Sequence, residues 1–412
     1  MTALSEVHPA PPSVRAASRR LLLVLAALLA LALALAGYAL FFSRYPVPMA
    51  DLLVYRAEGA AVAAGQDLYG FRVTRWNLPA TYPPFAALLF VPTTWLPLGA
   101  LRGGFVLGNL GLLAALTHLS LRCTGRPRAA CHPAALIALP AGALCLEPVF
   151  QTFVYGQINL ALAVLVLWDL SRPDGARGKG FAVGIAAGIK LTPAIFAVYL
   201  ALTGRTREAI TAACAFAGTV LVGIAVLPGA SVDFWTTRLY ETDRVGKAWI
   251  VDNQSLQGLL ARLLHTEHPG LVWVAAAALT AAAGLAVATC AARRGLEAWG
   301  VLCAAVTALL VSPISWSHHW VWCVPLLALL AAHTRGVPWR RAAVLATAVA
   351  FACRSMWLTP HQGDLDLHLP WWQQPLASPY PLLGLAFLAG TALCLRRARG
   401  RGGVRSAARP RP

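Results

Sequence analysis

The sequence predicts an all-α fold, a polytopic bundle of transmembrane helices, on three observations. Of its 412 residues 58% are hydrophobic and only 12% charged, whereas a soluble domain carries about 25% charged residues. Mean hydropathy is +0.64. The apolar residues fall in long runs separated by polar segments, the pattern of a chain that crosses lipid repeatedly. Disorder needs low hydrophobicity and is excluded. Nine cysteines in 412 residues, mostly inside apolar runs, are too dilute for a secreted disulfide scaffold.

Residues 1–20 form a polar tail with Arg15, Arg19 and Arg20 just before the first run. That run, 21–42, is long enough to span. It ends in Phe41-Phe42-Ser43-Arg44-Tyr45, an aromatic anchor without a small-residue cleavage site, so it reads as a retained helix rather than a signal peptide. Further apolar runs follow at 85–98, 104–121, 133–146, 158–170, 181–202, 209–227, 271–291, 299–311, 320–332, 342–358 and 381–395. Several fall short of the ~17 residues a span needs, which gives about 10–13 membrane helices within a single transmembrane domain, 21–395. The tail 396–412 holds seven arginines and no acid.

The net charge of +18 is a membrane signature here. Its basic residues flank apolar runs and are not interleaved with aromatics on a soluble face, so nucleic acid is excluded as a partner. Short basic segments at 122–128, 172–179 and 203–208 read as cytoplasmic, as do both termini. The longer segments 43–84, 231–269 and 359–378 carry most of the acids, Trp and Tyr, and read as extracytoplasmic. Twelve strict crossings would put 122–128 on the wrong side. Parity returns if 85–98 is re-entrant or interfacial and the chain breaks at Lys190-Leu191-Thr192-Pro193. Pro193 disfavours helix at Thr192, and broken helices in membranes line sites rather than face lipid. No internal repeat is evident.

With 16 acids in the chain, each acid in a long loop is informative. Asp51 is either a helix N-cap or a functional carboxylate. Tyr82-Pro83-Pro84 suits a helix start. Gln157 and Asn159 serve as interhelical glue or as ligands. Lys190 in an apolar stretch either snorkels or marks a site. Asp252-Asn253-Gln254-Ser255 reads equally as a cap, and Asn253-Gln254-Ser255 also spells a glycosylation sequon. His318 and His319 point about 100° apart on a helix and would not share one metal. The Asp364-Leu365-Asp366 pattern reads as loop. No phosphate-binding loop, dinucleotide fingerprint, metalloprotease helix or nucleophile elbow is present.

Taken in order, Asp51 with Tyr55, Gly65 to Tyr69, Tyr82-Pro83-Pro84, Gly156-Gln157 with Asn159, Lys190 with Pro193, Asn253-Gln254-Ser255 and Ser312-Pro313 to His319 resemble glycosyltransferase family 87, from about residue 21 to 357. These are the polyprenol-phosphate-mannose-dependent α-1,2-mannosyltransferases of actinobacteria. The resemblance implies the GT-C fold, with the catalytic acid in the first outer loop. It implies a polyprenyl-phosphate-mannose donor, a glycolipid or glycan acceptor, inversion at the anomeric carbon, and a plasma-membrane enzyme acting on the extracytoplasmic face.

Carried over residue by residue, Asp51 becomes the general base and His318 or His319 the histidine of the late motif. Lys190 is the cation for the leaving phosphate, with Arg56, Arg244 or Arg262 behind it. Tyr55, Tyr82, Gln157, Asn159, Asn253, Gln254, Ser255 and Trp316 become substrate contacts, although interface anchoring accounts equally for the aromatics. An inverting displacement needs a base on the acceptor hydroxyl, and a fixed cation stabilises the departing phosphate. No cofactor is implied, and a divalent metal has no support in the residues. Transfer of another lipid-linked sugar such as arabinose, or a lipid or solute transporter, are the rival readings. A transporter would show paired repeats and polar residues at mid-membrane.

Overall fold

The computed structural model describes residues 14–44, 49–125, 132–334 and 336–407. They are mostly helical, with no strand among the described residues apart from two isolated bridges, Val73 to Leu78 and Asn253 to Trp316. Five helices are long and apolar enough to cross a membrane: Leu21–Phe41, Leu98–Cys123, Thr206–Val226, Gly270–Ala292 and Pro379–Arg397. The pair Pro133–Ala143 and Glu147–Tyr155, bent by 78°, makes a sixth if it counts as one span. The chain is a multi-pass membrane protein. Where they are described, both expected tails are helical: α1 is Val14–Arg44 and the last helix runs Pro379–Ala407. Residues 1–13 and 408–412, with Arg409 and Arg411, lie outside the described residues, as do residues 126–128 of the 122–128 segment.

One of the shorter apolar helices sits inside rather than against lipid. Glu297–Val311 has 15 residues and is ~22 Å long at 1.5 Å per residue, less than a ~30 Å hydrocarbon core. Every residue from Gly300 to Leu310 is buried, so this helix is the axis of the bundle. By contrast Leu21, Leu22, Leu29 and Leu33 are about 60% exposed on the first helix, as a lipid-facing surface should be.

Segment 85–98 holds no helix long enough to cross. A helix Pro84–Phe90 and a 3-10 turn Val91–Thr94 together rise too little to traverse the bilayer. The expected break also appears. Helix Phe181–Ile189 ends at Lys190, whose backbone is extended (φ −147°, ψ 128°), and helix resumes through Thr192–Ala194 into Ile195–Leu202. Glycine fixes this broken rod against Thr206–Val226: a Cβ on Gly184 would lie 2.6 Å from that of Ala215, and one on Gly188 2.6 Å from that of Thr219. Such contact is open only to glycine.

The polar segments 43–84 and 231–269 fold over one end of the bundle. The first supplies helix Ala50–Ala63. The second is stitched to the late segment: Gln254 N donates to Ser315 O at 2.8 Å and Ser315 N to Asn253 Oδ1 at 2.9 Å. Asp366, half of the late acid pair, lies in a 3-10 turn, Leu365–His368, rather than in loop; it is buried and accepts from Val251 N at 2.9 Å.

Candidate active site

A cavity of about 790 Å³ opens where these segments meet. Asp51, Tyr55 and Tyr82 come to it from the first loop, and Gln157 from the end of helix Glu147–Tyr155. Lys190 comes from the break, and Trp316, His318 and His319 from the late segment. A second concavity, about 890 Å³, is walled by Leu202, Leu285, Thr289, Arg293, Arg294 and small neighbours. It has no carboxylate or imidazole and offers no acid–base chemistry.

Asp51 is not a cap. Helix Ala50–Ala63 is preceded by Met49 in the left-handed region (φ 50°) with no side-chain cap bond. The Asp51 carboxylate instead accepts from Gln157 Nε2 at 2.5 Å. Gln157 Oε1 accepts from the hydroxyls of Tyr55 at 2.8 Å and Tyr82 at 3.4 Å, which fixes the amide so that its donor end faces the acid. Gly156 makes this register possible. It ends its helix at φ 68°, and a Cβ there would stand 2.8 Å from Leu52 Cβ. Burial lifts the Asp51 carboxyl to about 6, while the Gln157 donor and the Lys190 charge pull it down. Two turns along, fully buried Glu58 accepts from Thr81 N at 3.2 Å. Burial raises it further than Asp51, to about 8.

Lys190 does not snorkel. Its Nζ donates to Asn159 Oδ1 at 3.1 Å and meets His319 Nε2 at 2.8 Å. Asn159 lies behind the cavity wall, and its amide also donates to His318 O at 3.1 Å; it positions Lys190 and the histidine segment. His318 is 3% exposed and neither ring nitrogen has a partner among the described residues. Its ring packs edge-on against Tyr155, centroids 5.3 Å apart.

Other expected contacts lie elsewhere. Arg56 Nη1 donates to Leu96 O at 2.7 Å, tying helix Ala50–Ala63 to the following turn, and does not line the cavity. Arg262 is fully buried and its guanidinium is consumed by Trp249 O, Ile250 O, Asn253 O and Ser378 Oγ. A phosphate could reach it only by displacing these bonds. Asn253, Gln254 and Ser255 are wholly buried scaffold. Asn253 Nδ2 donates to Ala248 O and Pro313 O, and Gln254 Nε2 to Val251 O and Ala377 O. Ser255 Oγ caps helix Leu256–Leu263 by accepting from Gly258 N at 3.2 Å.

Asp252, which local sequence reads as part of a cap, lines the cavity. Its Oδ1 accepts from Ser317 N at 3.1 Å. Burial, reinforced by the charge of Glu147, raises it to about 7. The signal available was an acid in an acid-poor loop immediately before three buried polar residues. Arg244 also lines the cavity, held by a bond to Ala80 O, and Arg238 beside it is paired with Asp233 at 2.9 Å and Glu241 at 3.2 Å. Among the described residues no three His, Cys, Asp or Glu gather as metal ligands.

One cavity thus presents a carboxyl raised by burial, a lysine amine held against an imidazole, and hydrogen-bonding aromatics. That set can activate a hydroxyl and stabilise a departing phosphate. Comparison with known proteins agrees. The profile of glycosyltransferase family 87 matches residues 80–313. The chain is 33% identical over 368 residues to a polyprenol-phosphate-mannose-dependent alpha-(1-2)-phosphatidylinositol mannoside mannosyltransferase of Mycobacterium tuberculosis, covering 83% of this chain and 84% of the relative. It is 35% identical over 361 residues to the protein of the same description from Mycolicibacterium smegmatis, covering 80% of each. A phosphatidylinositol pentamannoside mannosyltransferase of M. tuberculosis is 36% identical over 285 residues, 68% of this chain and 65% of that one. No solved structure matches. On the family profile and on the extent of these relatives, the chain belongs to glycosyltransferase family 87 and is a membrane glycosyltransferase.

Proposed function

We propose that the enzyme transfers mannose from a polyprenyl-phosphate-mannose donor to a hydroxyl of a phosphatidylinositol mannoside-type glycolipid, forming an α-1,2 linkage with inversion on the extracytoplasmic face. The relatives' descriptions supply the donor and acceptor classes. The observation that carries the chemistry is the placement of Asp51, held by Gln157, in the same cavity as the Lys190–His319 pair.

Asp51 takes the proton from the acceptor hydroxyl as its oxygen attacks the anomeric carbon. The bond from that carbon to the phosphate oxygen breaks, and its electron pair leaves on polyprenyl phosphate. Lys190 Nζ and His319 face that growing negative charge. Attack opposite a β-linked leaving group gives the α product. Because the leaving group is a lipid phosphate, no nucleotide site is needed.

Two features support the outer-face reading. The cavity draws its walls from 43–84 and 231–269, the long segments rich in acids and aromatics, whereas the short segments are basic. Reporter fusions at residues 66 and 175 test it: the first is expected outside and the second inside, and the reverse would contradict the reading.

The test of activity is transfer of labelled mannose from polyprenyl-phosphate mannose into phosphatidylinositol mannosides by membranes containing the protein. Incorporation in an α-1,2 linkage is expected. Incorporation only from a polyprenyl-phosphate-arabinose donor would overturn the choice of sugar.

A further inference from the structure

We propose that Asp252, with His318 and Trp316, binds the hydroxyls of the transferred sugar and thereby sets which hexose the donor carries. This rests on the donor reading above and deepens it. The argument begins with connectivity. His319 meets Lys190 at 2.8 Å, at the place given to the donor phosphate. His318 is its neighbour in the chain, and Asp252 is fastened to Ser317, one residue further back, by the 3.1 Å bond to Ser317 N. A sugar attached to a phosphate at Lys190–His319 therefore falls beside His318 and Asp252.

One of these residues, His318, has polar atoms that the described fold leaves without a partner. His318 is nearly sealed from the exterior, and both of its ring nitrogens lack a hydrogen-bond partner among the described residues. Buried polar atoms are rarely left so, and this residue lines the cavity. Asp252 accepts at Oδ1 from Ser317 N, with the Ser317 side chain also beside its carboxyl, and a carboxylate has lone pairs enough to accept a substrate hydroxyl as well. A hydrogen bond to a carboxylate is of the strong, charge-assisted kind. Trp316 is half-buried on the same wall, and Gly246, at φ 147°, lets the backbone lie against its ring. An aromatic face beside hydrogen-bonding groups suits a sugar ring, apolar on one face and polar at its edge.

The scaffold explains why the wall is rigid. Asn253, Gln254 and Ser255, buried on either side of the bridge to Trp316, hold residues 252 and 315–318 in fixed register. A site built to bind a hydroxyl discriminates strongly against an analogue without it, because its own polar groups are then left unpaired.

The test is a cycle of enzyme variant against donor analogue, using the full chain purified in detergent. Donors are polyprenyl-phosphate mannose and its 2-, 3-, 4- and 6-deoxy analogues. Asp252→Asn keeps an oxygen to accept from Ser317 N. With the full donor it is expected to lower kcat/KM about 100-fold, with donor KM raised and acceptor KM unchanged. With one deoxy donor the same substitution should cost less than about threefold, because the hydroxyl it would lose is already gone. His318→Gln run through the same cycle decides the matter if Asp252→Asn is not recovered folded. An equal loss with every donor, or a change in acceptor KM alone, would overturn the assignment while leaving the donor reading intact. No mannose transfer by the wild type would overturn the donor reading and this assignment together.

Discussion

Gln157 donates to Asp51 at 2.5 Å while two tyrosine hydroxyls approach its carbonyl oxygen. The acid is thus held by a residue that is itself held. A donor to the charged form lowers a carboxyl pKa, so this bond counters the burial that lifts Asp51 to about 6. In the wild type kcat/KM should rise with pH through a limb near 6 as Asp51 ionises. Gln157→Leu should move that limb upward, by about one pH unit, and lower kcat/KM at neutral pH. A pH–rate profile of both proteins checks this, and an unmoved limb would assign it to another group.

The same burial makes ionised Asp51 a cost to folding. A carboxyl whose folded pKa is raised above its unfolded value of 3.8 binds more protons when folded. Its contribution to stability is therefore full at low pH and is lost as pH rises from about 4 to about 6. Asp51→Asn should be more stable than the wild type at pH 7.5, by up to about 3 kcal/mol, and the gain should vanish at pH 4. Thermal unfolding in detergent at the two pH values measures the difference.

Lys190 should act on the chemical step. Lys190→Met removes the ammonium from His319 and Asn159 and should lower kcat by about 100- to 1000-fold, the cost of losing one charge-stabilising donor. Lys190→Arg should recover little, because the guanidinium does not fit the short contact to His319. Steady-state kinetics at saturating donor separates this from a binding defect.

Arg262 and Arg56 should behave differently from Lys190 and from each other. Arg262→Gln leaves several buried carbonyl acceptors short of donors and should destabilise the fold by about 2–4 kcal/mol, with donor KM unchanged in the surviving protein. Arg56→Ala removes a partly exposed bond to Leu96 O and should change activity less than about threefold. A selective rise in donor KM for either would restore it to the site.

Much of the helical frame is legible from apolar runs alone, and Pro193 marks the break that presents Lys190. Function was harder to separate from scaffold. Asn253, Gln254 and Ser255 read like ligands because polar residues in an apolar chain must have partners. Only the fold shows that the partners are Pro313 O, Ala377 O and a helix N-terminus. Asp252 was hidden by the same neighbours, since a cap explained the whole segment. Asp51 carried the opposite ambiguity. Spacing placed it near a helix start, but its relation to Gln157, 106 residues away, is a tertiary fact that local sequence does not contain.

The most direct test of the account is mannose transfer by the wild type and Asp51→Asn at equal expression, from polyprenyl-phosphate mannose into phosphatidylinositol mannosides. Asparagine keeps the shape and removes the base. Transfer by the wild type with a loss of at least about 1000-fold in the variant is expected. Equal transfer by both would contradict the account and move the base to another carboxylate in the cavity.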